Sequence, residues 1–184
     1  VQTFSFEPVD LPPGIPEFRR EIRAFLDREL AGHAAEKCVN CWANFDAGFS
    51  RKLGQRGWIG MVWPRQYGGH ARSSIERYVL LEELLAAGAP VGAHWVADRQ
   101  SGPALLKFGT EEQRRQYLPG IARGEIFCCI GMSEPNSGSD LASVRTRAER
   151  QPDGRWKING QKIWTTQAHR SQLMIALVRT GGYD

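Results

Sequence analysis

The hydrophobic period of this chain changes at Gly124. Before it, apolar residues recur every three to four positions. Two capping-box signatures, Ser73-Ser-Ile-Glu76 and Thr110-Glu-Glu-Gln113, open such runs. After it comes the short apolar stretch IFCCIGM (126–132), which has no helical cap. Alternation follows in VRTRAER (144–150), then the turn QPDG and the dipeptide Asn159-Gly160, a strong two-residue hairpin signal. The chain must therefore hold two kinds of secondary structure in succession. The fold class this implies is α+β: an N-terminal all-α bundle over residues 1–124, then the first strands of a β domain over 125–184.

Within the first part, Pro16 stands where a helix favours proline, and Phe18, Ile22, Phe25, Leu26 and Leu30 fall on one helical face. Phe49 and Leu53 carry a second face that ends at Gly57. Val79, Leu80, Leu81, Leu84 and Leu85 make the next helix apolar on several sides, so it is expected at the centre of the bundle. Residues 91–108 read as helical, broken or kinked by Pro103. In the second part, QKIWTT (161–166) is expected to pair with RWKI (155–158) through Asn159-Gly160. QLMIALVRT (172–180) is expected as a further buried strand.

A net charge of +4 and a pI near 9.0 permit an anionic ligand without requiring nucleic acid. The segment 145–157 carries five basic and two acidic residues, and a solvated strand face accounts for them; nucleic acid is not expected. No apolar run is long enough to cross a membrane, and no signal peptide is read at the N-terminus, so the expected location is cytoplasmic. Cys38 and Cys41 form one CxxC without two further ligands at zinc spacing, so no metal site is expected. Cys128 and Cys129 read as buried free thiols.

The stretch GMSEPNSGSDLASV (131–144) needs a different explanation. It places Ser133, Ser137 and Ser139 beside an apolar strand, with Gly138 allowing close backbone approach and Pro135 stiffening the loop. Such a loop suits a phosphate or a polar heterocycle; the competing reading is a cap at Ser139 on a helical turn at Asp140. If QKIWTT is a strand, Trp164 and Thr166 share one face and could hold a planar ring between an indole and a hydroxyl.

Taken together, RQYGG (65–69), LLKFGTEEQRRQYLPGIARGE (105–125), the loop 131–150 and WKINGQKIWTT (156–166) resemble the acyl-CoA dehydrogenase family of flavoproteins, in order and spacing. The resemblance implies a helical domain and a β-barrel-like middle domain, with the family's C-terminal four-helix domain absent from this chain. It implies FAD as cofactor, held by Ile130, Met132, Ser133, Gly138, Ser139, Trp164, Thr165 and Thr166. Ser133 would bond the pyrimidine side of the flavin, and Gly138 and Ser139 would lie near its phosphates. Trp164 would flank the ring and Thr166 would reach N5. Ser139 would also touch the acyl-CoA substrate. Thr165 departs from the Ile or Val of many members.

The implied reaction is α,β-dehydrogenation of an acyl-CoA thioester, a CH–CH oxidoreduction, with electron-transfer flavoprotein or a similar acceptor. No residue matches the family's glutamate base, Glu134 being a loop residue, so the isolated 184 residues are expected to be inactive. AHWVADRQSGP (93–103) is similar to bacterial members acting on bulky steroid or terpenoid thioesters, some of them built from two unlike subunits. In that reading His94, Trp95 and Arg99 line the acyl pocket; helix packing is the alternative. A homo- or hetero-oligomer is expected. A non-catalytic partner subunit and an oxidase or monooxygenase remain competing functions.

Overall fold

The computed structural model describes residues 10–33 and 39–181. Among these are five α-helices: α1 (Ile15–Glu29), α2 (Ala47–Gln55), α3 (Ser74–Ala86), α4 (Gly102–Phe108) and α5 (Glu111–Ala122). Four short strands follow: β1 (Cys128–Gly131), β2 (Arg147–Arg150), β3 (Trp156–Asn159) and β4 (Leu173–Ala176). The α+β order read from the period is the order observed. Cys38, half of the CxxC, lies outside the described residues; Cys128 and Cys129 are buried and free.

Local chemistry accounts for the helix boundaries. Gly14 takes a left-handed φ of 90° ahead of α1. Both capping boxes form, Ser73 with Glu76 and Thr110 with Gln113, each satisfying two backbone donors that a helix start leaves orphaned. Pro103 has no N–H to offer the carbonyl of Arg99. The chain accommodates this with a π-helical turn, Ala97–Ser101, leading directly into α4.

The core gathers Phe18, Ile22 and Phe25 of α1, Leu53 of α2, Val79 and Leu84 of α3, and Leu118 and Ile121 of α5 around the buried segment Trp58–Trp63. Phe25 meets Trp58 edge-on at 5.1 Å. Glu83 is buried between α1 and α3, where Arg23 grips it at 2.7 and 2.9 Å and Arg19 adds a further bond. The Arg23 guanidinium, and then that of Arg19, hold the Glu83 carboxyl below the usual range against the cost of burial.

Several sequence expectations are corrected here. Helix α3 is covered on one face only: Val79, Leu80 and Leu84 are buried, whereas Tyr78 and Leu85 are exposed. The turn expected at QPDG does form, joining β2 to β3 around Gln151–Arg155 with Ala148 opposite Ile158. Asn159-Gly160 is not the turn of that hairpin. Gly160 lies where a Cβ would stand 2.4 Å from the Thr146 hydroxyl and 2.6 Å from its Cα, so glycine serves a close crossing there. Residues 161–165 form no strand. The expected buried strand 172–180 reduces to β4, which is half-buried and pairs in parallel with β1, Cys128 opposite Leu173 and Gly131 opposite Ala176.

Candidate functional site

Strand β1 delivers the chain into the loop 132–146. Its inner residues Cys128 and Cys129 are buried, and Cys128 joins the helical core. That anchorage fixes where the polar loop begins. The strand's last carbonyl, Gly131, accepts from the Leu177 amide at 2.9 Å. The next, Met132, accepts from Lys162 Nζ at 2.9 Å, and Ser133 accepts from the Ile163 amide at 2.9 Å. Three successive carbonyls are thus held by the segments that follow the hairpin.

The loop is folded by its own side chains. Glu134 and Ser137 exchange backbone bonds at 2.8 and 3.1 Å. Ser137 and Ser143 both donate to the Asp140 carbonyl, at 2.7 and 2.8 Å, around a 3-10 turn at Leu141–Ser143. No Ser139 cap on that turn forms, which corrects the competing reading of the loop. The buried Glu134 carboxylate accepts from the amides of Arg145 at 2.6 Å and Thr146 at 2.9 Å, and from Lys162 at 2.9 Å. The Thr146 hydroxyl beside it, the Arg145 amide and the Lys162 ammonium hold its carboxyl down at about 2. At the far end, Arg179 donates to the carbonyls of Val144 at 3.1 Å and Ala142 at 2.5 Å.

Against this frame the expected contact residues divide. Ile130 lies in β1, and Met132 and Ser133 lie at the turn that follows it. The amides of Met132 and Ser133 and the Ser133 hydroxyl have no acceptor or donor among the described residues. Gly138 and Ser139 sit exposed at the loop tip, and nothing lies within 4 Å of where a Gly138 Cβ would stand. The bond from Ile163 to Ser133 brings the 163–166 segment beside the turn. There Trp164 adopts a left-handed φ of 57° and is 85% exposed, with Thr165 half-buried and Thr166 exposed. Trp164 and Thr166 therefore do not owe their placement to strand alternation. The expectation of a shared strand face fails because the segment has no strand. Gln167 ties it instead to the helical part, donating to the Ala43 carbonyl at 3.1 Å.

The second candidate region also divides. His94 is buried, with Nδ1 2.8 Å from the Ser50 hydroxyl, so helix packing accounts for it. Trp95 and Arg99 line a groove of about 600 Å³ with Arg77, Tyr78, Leu81 and Leu85, the Arg99 guanidinium lying 4.8 Å from the Trp95 ring centre. Lys162, Ile163 and Arg179 were missed as loop-holding residues. Their partners lie 28 to 37 residues away, and no local spacing announces such contacts.

Comparison with known proteins sets this geometry in a family. The model of the acyl-CoA dehydrogenase N-terminal domain matches residues 15–125, and that of the acyl-CoA dehydrogenase middle domain matches 129–184. Acyl-CoA dehydrogenase FadE26 of Mycobacterium tuberculosis is 33% identical over 94% of this chain and 44% of its own length. Acyl-CoA dehydrogenase IpdE1 of the same organism is 39% identical over 90% of this chain and 45% of its own. Among solved structures, the Tcur3481-Tcur3483 steroid ACAD superposes with a TM-score of 0.82 at 39% identity, over 94% of this chain and 44% of the other. The ChsE4-ChsE5 complex from Mycobacterium tuberculosis gives 0.81 at 33%, over 95% and 44%. The chain thus spans less than half the length of these relatives. With both of its halves matched in order, it belongs to the acyl-CoA dehydrogenase family, whose members are FAD-dependent oxidoreductases acting on CH–CH bonds.

Proposed function

We propose that the protein of which these residues are part catalyses FAD-dependent α,β-dehydrogenation of an acyl-CoA thioester, and that this chain supplies flavin and substrate contacts. The observation that carries the reading is the turn at Met132 and Ser133: two amides and a hydroxyl without partners among the described residues, beside the exposed indole of Trp164. These groups fit a flavin, which offers carbonyl and ring-nitrogen acceptors at its edge and a flat face for an aromatic side chain. When bound, FAD supplies the acceptor for the substrate hydride. Ile130, Met132, Ser133, Trp164, Thr165 and Thr166 would hold the ring. Gly138 and Ser139 would approach the phosphates, and Ser139 the substrate. In this reading the residues divide at 124/125 into a helical domain and a middle domain, and the flavin contacts lie on the second.

Glu134 is unsuited to take the Cα proton. Its oxygens are engaged by two amides and an ammonium, and its carboxyl is held at about 2, far from a useful base at neutral pH. Glu134 is therefore not the base in this reading, and the resemblance assigns that role to none of these residues. Similarity to the steroid ACAD supports a bulky acyl group, for which the groove at Trp95 and Arg99 is the candidate wall. Both of the structural relatives named above are complexes of two named subunits, which favours a hetero-oligomer; a non-catalytic partner role is the second reading. Electron-transfer flavoprotein or an equivalent acceptor completes the turnover, and the buried free thiols suit a reducing, cytoplasmic location.

The test is anaerobic titration of the FAD-loaded full-length protein of which these residues are part, alone and with its co-expressed partner, using straight-chain and steroid-side-chain CoA thioesters. Loss of the oxidised-flavin absorbance band with formation of the enoyl product is expected. Full retention of the band with every thioester sinks the dehydrogenase reading.

A further inference from the structure

We propose that Lys162, held by Glu134, is a positioning residue that aims the Ser133 amide at the flavin; the inference rests on the flavin reading above. All described peptide bonds are trans, and in a trans peptide the C=O of one residue and the N–H of the next point in opposite directions. Lys162 Nζ grips the Met132 carbonyl at 2.9 Å. That bond turns the Ser133 N–H away from Lys162 and toward the open side of the turn. The Leu177 amide does the same for the preceding peptide by holding the Gly131 carbonyl at 2.9 Å, which turns the Met132 N–H outward. Neither outward amide has a partner among the described residues.

Lys162 is itself fixed. Its ammonium is 2.9 Å from Glu134, and both side chains are largely buried, at 10% and 7% exposure. Glu134 is in turn pinned by the Arg145 and Thr146 amides at the other end of the loop. One carboxylate thus joins the start of the loop, its end and the 162–163 segment. A cation on the Met132 carbonyl also polarises that peptide and makes the Ser133 N–H a stronger donor. Neither residue needs to touch the ligand for this effect.

The experiment uses the full-length protein of which these residues are part, first stripped of FAD and then titrated with it. FAD affinity and the visible circular dichroism of the bound flavin are read for wild type, Lys162→Met, Lys162→Arg, Glu134→Gln and the double variant. Lys162→Met is expected to weaken FAD binding about tenfold and to change the flavin dichroism, because a charge-assisted bond that sets the turn is lost. Lys162→Arg, which keeps a charged donor, is expected to restore both. The double variant is expected to bind no worse than Lys162→Met, since the two residues act through one device. Less than about a threefold loss in Lys162→Met, or independent losses that multiply in the double variant, overturns the proposal. If Glu134→Gln does not fold, the Met and Arg variants at 162 decide alone. A wild-type chain that takes up no FAD overturns the flavin reading, and this inference with it.

Discussion

His94 illustrates how position in sequence and position in space part company. It sits in a stretch whose resemblance pointed to an acyl pocket, beside Trp95 and Arg99, which do line a groove. The ring itself turns inward, 5% exposed, against Ser50. Helical residues one apart face about 100° apart, so neighbours in one motif need not share a surface. Burial pushes the His94 imidazole down to about 4, because the folded interior disfavours its charged form. The folded pKa lies below the unfolded value near 6.5, so unfolding takes up a proton between those limits. The stability His94 contributes is complete above about pH 6.5 and is lost as pH falls through about 4. In His94→Gln, which retains a hydrogen-bonding group without titrating, that part of the acid sensitivity disappears. Denaturant melts at a series of pH values should show wild type losing on the order of 3 kcal/mol more than the variant across this window. Parallel curves for the two proteins would refute the assignment.

At the scale of elements, starts were easier to read than pairings. The capping boxes at Ser73 and Thr110 are local chemistry, complete within four residues, and both form where the sequence places them. The strand partners are non-local. The QPDG turn forms where the sequence places it, whereas Asn159-Gly160, which also carries the local signature of a hairpin turn, makes none, and β1 pairs with a strand more than forty residues on. What overrides the dipeptide is the crossing of Gly160 over Thr146, a contact no period reveals. Trp164 and Thr166 show the same limit: the resemblance marked them, whereas the strand alternation invoked for them does not exist. The two glycines give a direct comparison. Gly160→Ala places a methyl group into Thr146 at φ 151° and is expected to cost about 1–3 kcal/mol in thermal unfolding. Gly154, with φ 83° and open space around it, should accept Asn with a change within about 0.5 kcal/mol. Equal tolerance at both sites would mean that the hairpin turn, and not the crossing, is at 159–160.

Across the whole molecule, cohesion falls off from the helices to the hairpin. The helical core encloses fully buried Ile22, Phe25, Trp63 and Leu118. Strands β1 and β4 share it, because Cys128 belongs to the core, Leu173 packs on it, and Phe127 meets Phe45 edge-on at 5.0 Å. Among the described residues, the β2–β3 hairpin has no such anchorage. Every residue of β3 is exposed, including Trp156 at 53% and Ile158 at 59%, and only Ala148 of β2 is buried. Its ties to the rest include the Ala148 and Arg179 amides, at 2.9 and 2.8 Å, and the Glu134 bonds to Arg145 and Thr146. Opening the hairpin alone exposes little apolar surface that is not already wet, so it costs far less than unfolding the bundle. Native-state hydrogen exchange on the 184-residue chain should therefore show β3 amides exchanging at least about a hundredfold faster than those of α1 and α3. The β1 amides should follow the helices, because opening β1 uncovers Cys128 and breaks into the core. Uniform protection across β1, β3 and the helices would mean that the chain opens only as one unit, and that the hairpin has support beyond the contacts described.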